Sequence, residues 1–210
     1  MADYAKDVLV ETDWVAEHLD DDGIRIVEVD ENPALYAEAH IPGAIGFDWK
    51  QDLQDQVKRD FLSAEDFGNL MGSRGISNDH TVVLYGDRNN WFAAYTYWYF
   101  LYYGHDKVKL INGPREKWIA EDKPTSTDVP SYPQATFEAK AGDDSIRALR
   151  DEVLAALDAE TKLVGGLEGA VLLHRLRPRH GRGARDVAGA LRTLLLVARH
   201  RDQLAGVLLR

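Results

Sequence analysis

The 210-residue chain has no cysteine at all. That absence excludes disulfides, thiolate metal sites and any cysteine nucleophile at once. Methionine is nearly absent too, at two residues. No run approaches the roughly 18 apolar residues that a membrane-spanning helix needs, so no membrane association is expected. The opening residues, Met1-Ala-Asp-Tyr-Ala-Lys-Asp, lack a basic stretch followed by an apolar one, so a secretory signal is not expected either. The formal charge of −10 argues against nucleic acid as a partner, because phosphate contacts need clustered Lys and Arg. Phosphate-loop, dinucleotide-loop, GxSxG and HExxH signatures are missing. What remains is a soluble, cytoplasmic, acidic globular protein, 45% hydrophobic and 29% charged, whose length suits one domain or slightly more.

The average charge conceals two different chains. Residues 1–162 carry 16 basic against 32 acidic residues, a net of −16, whereas residues 163–210 carry 9 Arg, no Lys and 3 acids, a net of +6. Aromatic residues, Lys, Ile, Asn, Ser and Met supply 51 of the first 162 residues and none of the last 48. At the first frequency about 15 would be expected there, so chance is excluded. The tail is written almost wholly in Leu, Arg, Gly, Ala, Val and His, residues of GC-rich codons. A frameshift near residue 164 is the expectation; a basic interaction tail and an ordinary helical extension are the alternatives. Tail residues 165–183 are expected to be poorly fixed, with one loosely packed helix over 184–209.

The acidic segment alternates strand and helix. Thr12-Asp-Trp-Val-Ala-Glu-His-Leu reads as a helix capped by Thr12 or Asp13 and stopped by Gly23. Ile24-Arg-Ile-Val-Glu-Val is a strand. Asn32-Pro33 is a cap and first helical position, opening a turn of helix through Ala39. A short strand follows near 44–47. Ser63-Ala-Glu-Asp starts a helix with capping-box-like spacing, closed by Gly75. Thr81-Val-Val-Leu-Tyr is the apolar run of a strand covered on both faces. Residues 91–103 form an aromatic helix stopped by Gly104, Lys107-Val-Lys-Leu-Ile is a strand, and a helix occupies 114–120. This order predicts an α/β fold: a mainly parallel sheet with helices on both faces. The expected organisation is a domain over 7–121, a Pro/Ser/Thr/Asp/Gly-rich linker over 122–144, and the start of a second domain over 145–164. That start opens with an amphipathic helix over 145–157 and a strand beginning at Lys162. An aberrant tail over 165–210 completes the chain.

The chemically suggestive place is the loop Gly86-Asp87-Arg88-Asn89-Asn90 between the buried strand and the aromatic helix. Free amides at the carboxyl end of a sheet strand suit an anion or an activated nucleophile. Asp87 is read either as a fixed negative charge filling that anion pocket or as a carboxylate capping its own backbone. Arg88 either binds an anion or pairs with Asp87, and Asn90 reads as an N-cap. The stripe Trp91, Phe92, Tyr95, Trp98, Tyr99 and Tyr102 reads as core. Among Tyr95, Tyr97, Tyr99, Tyr102 and Tyr103, some must face solvent or an interface. His40 precedes a turn and is expected to hold its backbone; His18, His80 and His105 share no metal-ligand spacing, and neither a metal nor another cofactor is expected.

The succession Ile24-Arg-Ile-Val-Glu-Val-Asp, Ala39-His-Ile-Pro-Gly-Ala-Ile, Thr81-Val-Val-Leu-Tyr with its loop and helix, then Leu110-Ile-Asn-Gly-Pro-Arg-Glu-Lys-Trp resembles the rhodanese family. It is closest in pattern to the N-terminal domain of prokaryotic tandem-domain thiosulfate sulfurtransferases. The stretch Asn90-Trp-Phe-Ala-Ala-Tyr-Thr-Tyr-Trp-Tyr-Phe with Tyr103-Gly-His is its most specific part. The resemblance runs over about residues 7–164. It implies a three-layer rhodanese-like domain, with His40, Pro42, Gly43, Gly113 and Trp118 as structural motif residues. It also implies a transferase reaction in intact homologues: the outer sulfur of thiosulfate passes to a cysteine, and the persulfide then passes it to cyanide or another thiophilic acceptor. In that family the cysteine stands in the second domain, at the first position of the corresponding loop. Here Gly86 holds that position, so residues 86–90 are expected to be a vestigial active-site loop without catalytic residues, and the chain is expected to be inactive. A non-catalytic binding or regulatory module, with a protein partner, is the alternative. Pro114 stands where the family usually has a second glycine, and proline is acceptable at a helix start.

Overall fold

Five short runs rich in β-branched and apolar residues assemble into one parallel sheet of order β1-β5-β4-β2-β3. They are β1 (Leu9–Val10), β2 (Ile24–Asp30), β3 (Ile45–Asp48), β4 (Thr81–Tyr85) and β5 (Val108–Ile111). The computed structural model describes residues 8–57 and 60–149, and the backbone of residues 162–165 and 171–174. The chain divides into two units, Asp7–Gly142 and the remainder, Met1–Lys6 with Asp143–Arg210. Among the described residues, no helix is long and apolar enough to cross a membrane.

A parallel sheet has to be covered on both faces. Alternation along the strands sends Ile26, Val83, Tyr85 and Ile111 to one face, where they pack with Val15 of α1 (Thr12–Glu17) and Trp118 of α5 (Arg115–Ala120). Val27, Val29, Val82 and Leu84 point to the other face, beneath α3 (Ala64–Ser73) and α4 (Asp87–Tyr102), and all four are fully buried. The short α2 (Leu35–Glu38) follows β2. Central β4 lies in register between β2 and β5, Val83 beside Ile26 and Lys109. Its near-continuous apolar sequence is thereby explained.

Several helix boundaries differ from the sequence expectation. Thr12 is inside α1, whose cap is Glu11 without a side-chain bond. The hydroxyl of Thr12 instead donates to Glu121. Asn32 accepts from the Ala34 amide and shapes a turn, so α2 starts at Leu35 and Pro33 precedes it. Ser63 does cap α3, accepting from Asp66 N–H at 3.1 Å, and Gly75 ends it with φ of 73°. β1 escaped sequence reading because two residues show no period.

Of the five tyrosines of which some were expected to face solvent or an interface, four are buried and only Tyr97 is half-buried. The reason is that α4 is enclosed beyond its sheet-facing side. The Leu62 amide donates to Tyr99 Oη at 2.6 Å, Phe67 of α3 stacks on Tyr103 at 5.0 Å, and Phe137 meets Phe100 edge-on. Phe137 belongs to residues 122–144, the segment expected as a linker, of which residues 122–142 fall in the same unit as the sheet. These residues form an extended strap on the domain. Ser126 exchanges two backbone bonds with His40, and the Ala135 amide donates to the Gly72 carbonyl at 3.0 Å. Gly68 and Gly72, four apart on α3, give the strap its seat: a Cβ on Gly68 would stand 2.7 Å from the Phe137 carbonyl oxygen.

In the second unit, Asp144–Ile146 is a single 3-10 turn and Arg147 is extended, so no helix begins at residue 145. Residues 150–157 of the expected helix lie outside the described residues. The strand expected at Lys162 is present as β6 (Lys162–Gly165), paired antiparallel with β7 (Val171–His174). The latter falls in the stretch expected to be unfixed; its short apolar run carried no periodicity to distinguish it. The helix expected over 184–209 lies outside the described residues.

Candidate functional site

β4 delivers the chain at Tyr85 into Gly86, which is extended (φ −179°), and then into a tight left-handed turn. Arg88, Asn89 and Asn90 have φ of 49°, 58° and 62°, so the regular helix starts only at Trp91. Left-handed backbone is costly for residues other than glycine, though least so for Asn. The side chains next to the turn hold it. Asn90 is not an N-cap: its Oδ1 accepts from Gly86 N–H at 3.0 Å, and its Nδ2 donates to the carbonyls of Ile111 (2.8 Å) and Gly113 (3.1 Å). One buried amide thus ties the start of the loop to the end of β5.

Asp87 is buried and does not cap its own backbone. Its carboxylate accepts from the amides of Glu31 (2.6 Å) and Asn32 (3.3 Å), beyond the end of β2. Its amide donates to Asp30 Oδ1 at 2.7 Å. Arg88 does not pair with Asp87; it reaches outward to Glu31 at 3.7 Å, with both side chains substantially exposed. Asn89 and Arg88 line a cleft of about 580 Å³ with Asn32, Leu35, Asp87, Pro114 and Glu116. One guanidinium and two carboxyls on its walls, with Glu31 beside it, give the cleft an acidic rather than an anion-attracting balance.

Behind the loop lies a buried polar network. Tyr85 Oη donates to Glu28, and Arg115 Nε approaches the other Glu28 oxygen at 3.2 Å. Arg115 also donates to the carbonyls of Leu35 (3.1 Å) and Ala39, while its own amide donates to Gly86 O at 2.9 Å. The Ile41 amide donates to Tyr85 Oη at 2.9 Å. The turn containing His40, Pro42 and Gly43 is therefore joined to the 86–90 loop through Tyr85 and Arg115. Burial, followed by the charge of Glu28, pushes the Tyr85 phenol up.

The structural motif residues occupy supporting positions. His40 is buried, stacks on Tyr36 with ring centroids 4.0 Å apart, and places Nδ1 2.8 Å from Tyr36 O and Nε2 3.1 Å from Asp128 O. Both ring nitrogens thus meet backbone carbonyls. Pro42 leads into Gly43, whose carbonyl accepts from Tyr132 Oη at 2.8 Å. Gly113 has φ of 133° and offers its carbonyl to Asn90. Trp118 is buried in the core and donates Nε1–H to Pro124 O at 2.8 Å, anchoring the strap. Among the described residues no group of three or more His, Asp or Glu is placed to hold a metal.

Residues 11–121 match the family model described as "Rhodanese-like domain". The chain belongs to the rhodanese family. A Thermus thermophilus protein named sulfur carrier protein TtuD is 57% identical over 148 residues, 70% of this chain and 52% of that protein. A Haloferax volcanii protein named "Putative thiosulfate sulfurtransferase" is 55% identical over 168 residues, 78% of this chain and 59% of its own length. The chain thus spans between half and three-fifths of these relatives. Among solved structures, the Escherichia coli 3-mercaptopyruvate sulfotransferase SseA superposes with a TM-score of 0.64 at 25% identity, over 73% of this chain and 62% of that one.

In this rhodanese domain, the first loop position has no room for any side chain. A Cβ on Gly86 would overlap the Val29 carbonyl oxygen and stand 2.9 Å from its carbon. Sequence reading missed Glu28, Asp30, Tyr85 and Arg115. The available signal was Glu28 and Asp30 two apart in a strand, alternating with the apolar Val27 and Val29, which puts both carboxyls on one face of the sheet.

Proposed function

We propose that this chain is the non-catalytic domain of a tandem-domain thiosulfate sulfurtransferase, of the N-terminal type, and that the 210-residue cytoplasmic product transfers no sulfur by itself. The observation that carries this reading is the first loop position: it is glycine, it has no space for a thiol-bearing side chain, and no other residue of the chain is cysteine. A persulfide needs a thiolate. The acidic cleft beside the loop supports the same reading, since thiosulfate is a dianion. A thiosulfate:cyanide sulfurtransferase assay on the purified chain should give no thiocyanate above a heat-denatured control. Turnover above that control overturns the proposal.

The tail is part of the proposal as a frameshift product. The alignments with the two relatives cover 70% and 78% of the chain, and residue types change abruptly near residue 164. Reading the nucleotide sequence beyond codon 162 in all three frames should reveal a second rhodanese domain; its absence in every frame removes the idea. The open cleft favours a second reading, a non-catalytic binding or regulatory module. A partner retained by the chain and lost on joint Arg88→Ala and Asn89→Ala substitution would favour it, because both residues line the cleft at its surface.

A further inference from the structure

Three carboxyl side chains converge where β2 and β4 end, and the contacts of one are incomplete. Glu28 and Asp30 are each 1% exposed and Asp87 is 3% exposed. Glu28 is satisfied by Tyr85 and Arg115, and Asp87 by two backbone amides. Asp30 accepts the Asp87 N–H through Oδ1, but its Oδ2 is buried without a hydrogen-bond partner of ordinary geometry. Among the described residues, no cation serves Asp30. On α5, Arg115 is engaged by Glu28 and two carbonyls. On the loop, Arg88 turns out to Glu31. From β4 comes the Tyr85 phenol, which serves Glu28. On β3, Asp48 pairs in register with Asp30 but gives its carboxylate to the amides of Lys50 and Gln51. A carboxylate buried without a cation or full hydrogen bonding is too costly to keep charged, and such a group takes up a proton instead.

We propose that Asp30 keeps a proton inside this carboxyl cluster, and that the proton latches the 87–90 turn onto the end of β2. In the latched state neutral Asp30 directs its O–H toward Glu28 while Oδ1 receives the Asp87 amide. Asp87 in turn pins the amides of Glu31 and Asn32. Loss of the proton leaves three carboxylates facing a single guanidinium; swinging Asp87 away lets water reach Asp30. This goes beyond the absence of sulfur transfer and does not depend on it.

The direction of the linkage follows from the proton count. Burial first, then hydrogen bonding to Glu28 and its charge, raise Asp30 to about 9 from an ordinary 3.8; the Asp87 amide opposes this and the Asp87 charge adds to it. The latched state therefore holds one more proton than an open state with an ordinary carboxyl. Opening should become about tenfold more favourable per pH unit between those two values and level off above the upper one. Acid holds the latch, and alkali releases it.

Amide hydrogen exchange by NMR on the full chain tests this, after correction for the intrinsic base-catalysed rate. Protection of the Glu31, Asn32 and Asp87 amides should fall by about tenfold per unit from pH 6 and flatten near pH 9. The Val83 amide in β4 should stay better protected than all three throughout. Asp30→Asn, which has no proton to lose, should abolish the slope. Constant protection of the three amides in the unmutated chain overturns the proposal, as does exchange in step with Val83 at the same rate. So does an unchanged slope in Asp30→Asn. The first two outcomes are read on the unmutated chain and stand whether or not the variant folds.

Discussion

Gly86→Cys would place a thiol at the position where related domains carry their nucleophile, and its outcome depends on one carbonyl. The new Cβ overlaps Val29 O and lies 2.9 Å from Val29 C, with Asp30 Oδ1 at 3.3 Å. Val29 is interior to β2, in register with Phe47 of β3, and the preceding Glu28 is in register with Tyr85 of β4. Its carbonyl cannot withdraw without loosening two ladders. Overpacking that flexible side chains can absorb costs about 1–3 kcal/mol, and a clash with ladder backbone belongs at or above the top of that range, about 3 kcal/mol. For a domain the size of residues 7–142 the unfolding entropy is about 0.3 kcal/mol per kelvin, so the melting temperature should fall by about 10 °C. Gly86→Ala should fall almost as far, because the Cβ causes the clash. Circular-dichroism melts of both variants, with a thiosulfate:cyanide assay alongside, decide the matter. A Cys variant melting within about 2 °C of the parent, or turning over above the Ala variant, would refute the steric argument.

Asn90→Ala should destabilise by about 3 kcal/mol, since it strands the buried Gly86 amide and two carbonyls and leaves Ala in left-handed backbone; urea midpoints measure this. Asn90→Asp should cost at least as much despite equal shape, because it sets carboxylate oxygen against the Ile111 and Gly113 carbonyls. Arg88→Gly should exceed Arg88→Ala in stability by about 1 kcal/mol, as φ of 49° favours glycine and both variants lose the same exposed ion pair with Glu31. His105 is held below its usual 6.5 mainly by burial, so the unfolded chain binds its proton more readily and stability is lost as pH falls through and below 6.5. Unfolding free energies measured from pH 7.5 to 5 should therefore decline less in His105→Gln than in the parent; equal declines would remove the buried neutral imidazole from the explanation.

The sheet was legible because its strands carry their burial in their composition. Thr81-Val-Val-Leu-Tyr has no polar alternation, and only a central strand covered on both faces tolerates that. Helix α3 was legible from the Ser63 cap and the Gly75 stop, both local features. The strap was not legible as structure. Its residues are those of a linker, and what fixes them lies elsewhere in sequence: two glycines on α3, the His40 backbone and the Trp118 indole. The burial of four of the five tyrosines has the same origin, since the strap encloses a side of α4 that an isolated helix would expose.

At the loop, the sequence marks the five residues, but the local partners it offers for Asp87, Arg88 and Asn90 are not the ones these side chains have. Local pairing gave Arg88 to Asp87 and made Asn90 a cap, yet three successive left-handed residues turn these side chains away from their neighbours in sequence. That conformation costs about 3–4 kcal/mol in total. The two oxygens of Asp87 and three bonds of Asn90 offset it at about 1 kcal/mol each, so the turn roughly breaks even. Its shape is therefore maintained from below, by Asp87 and Asn90 gripping the ends of β2 and β5, and no contribution from a nucleophile or bound anion is required. The residues facing outward, Arg88 and Asn89, take almost no part in that grip. Substitutions that remove the buried pair should collapse the turn, whereas those at the two outward positions should alter only what the cleft presents.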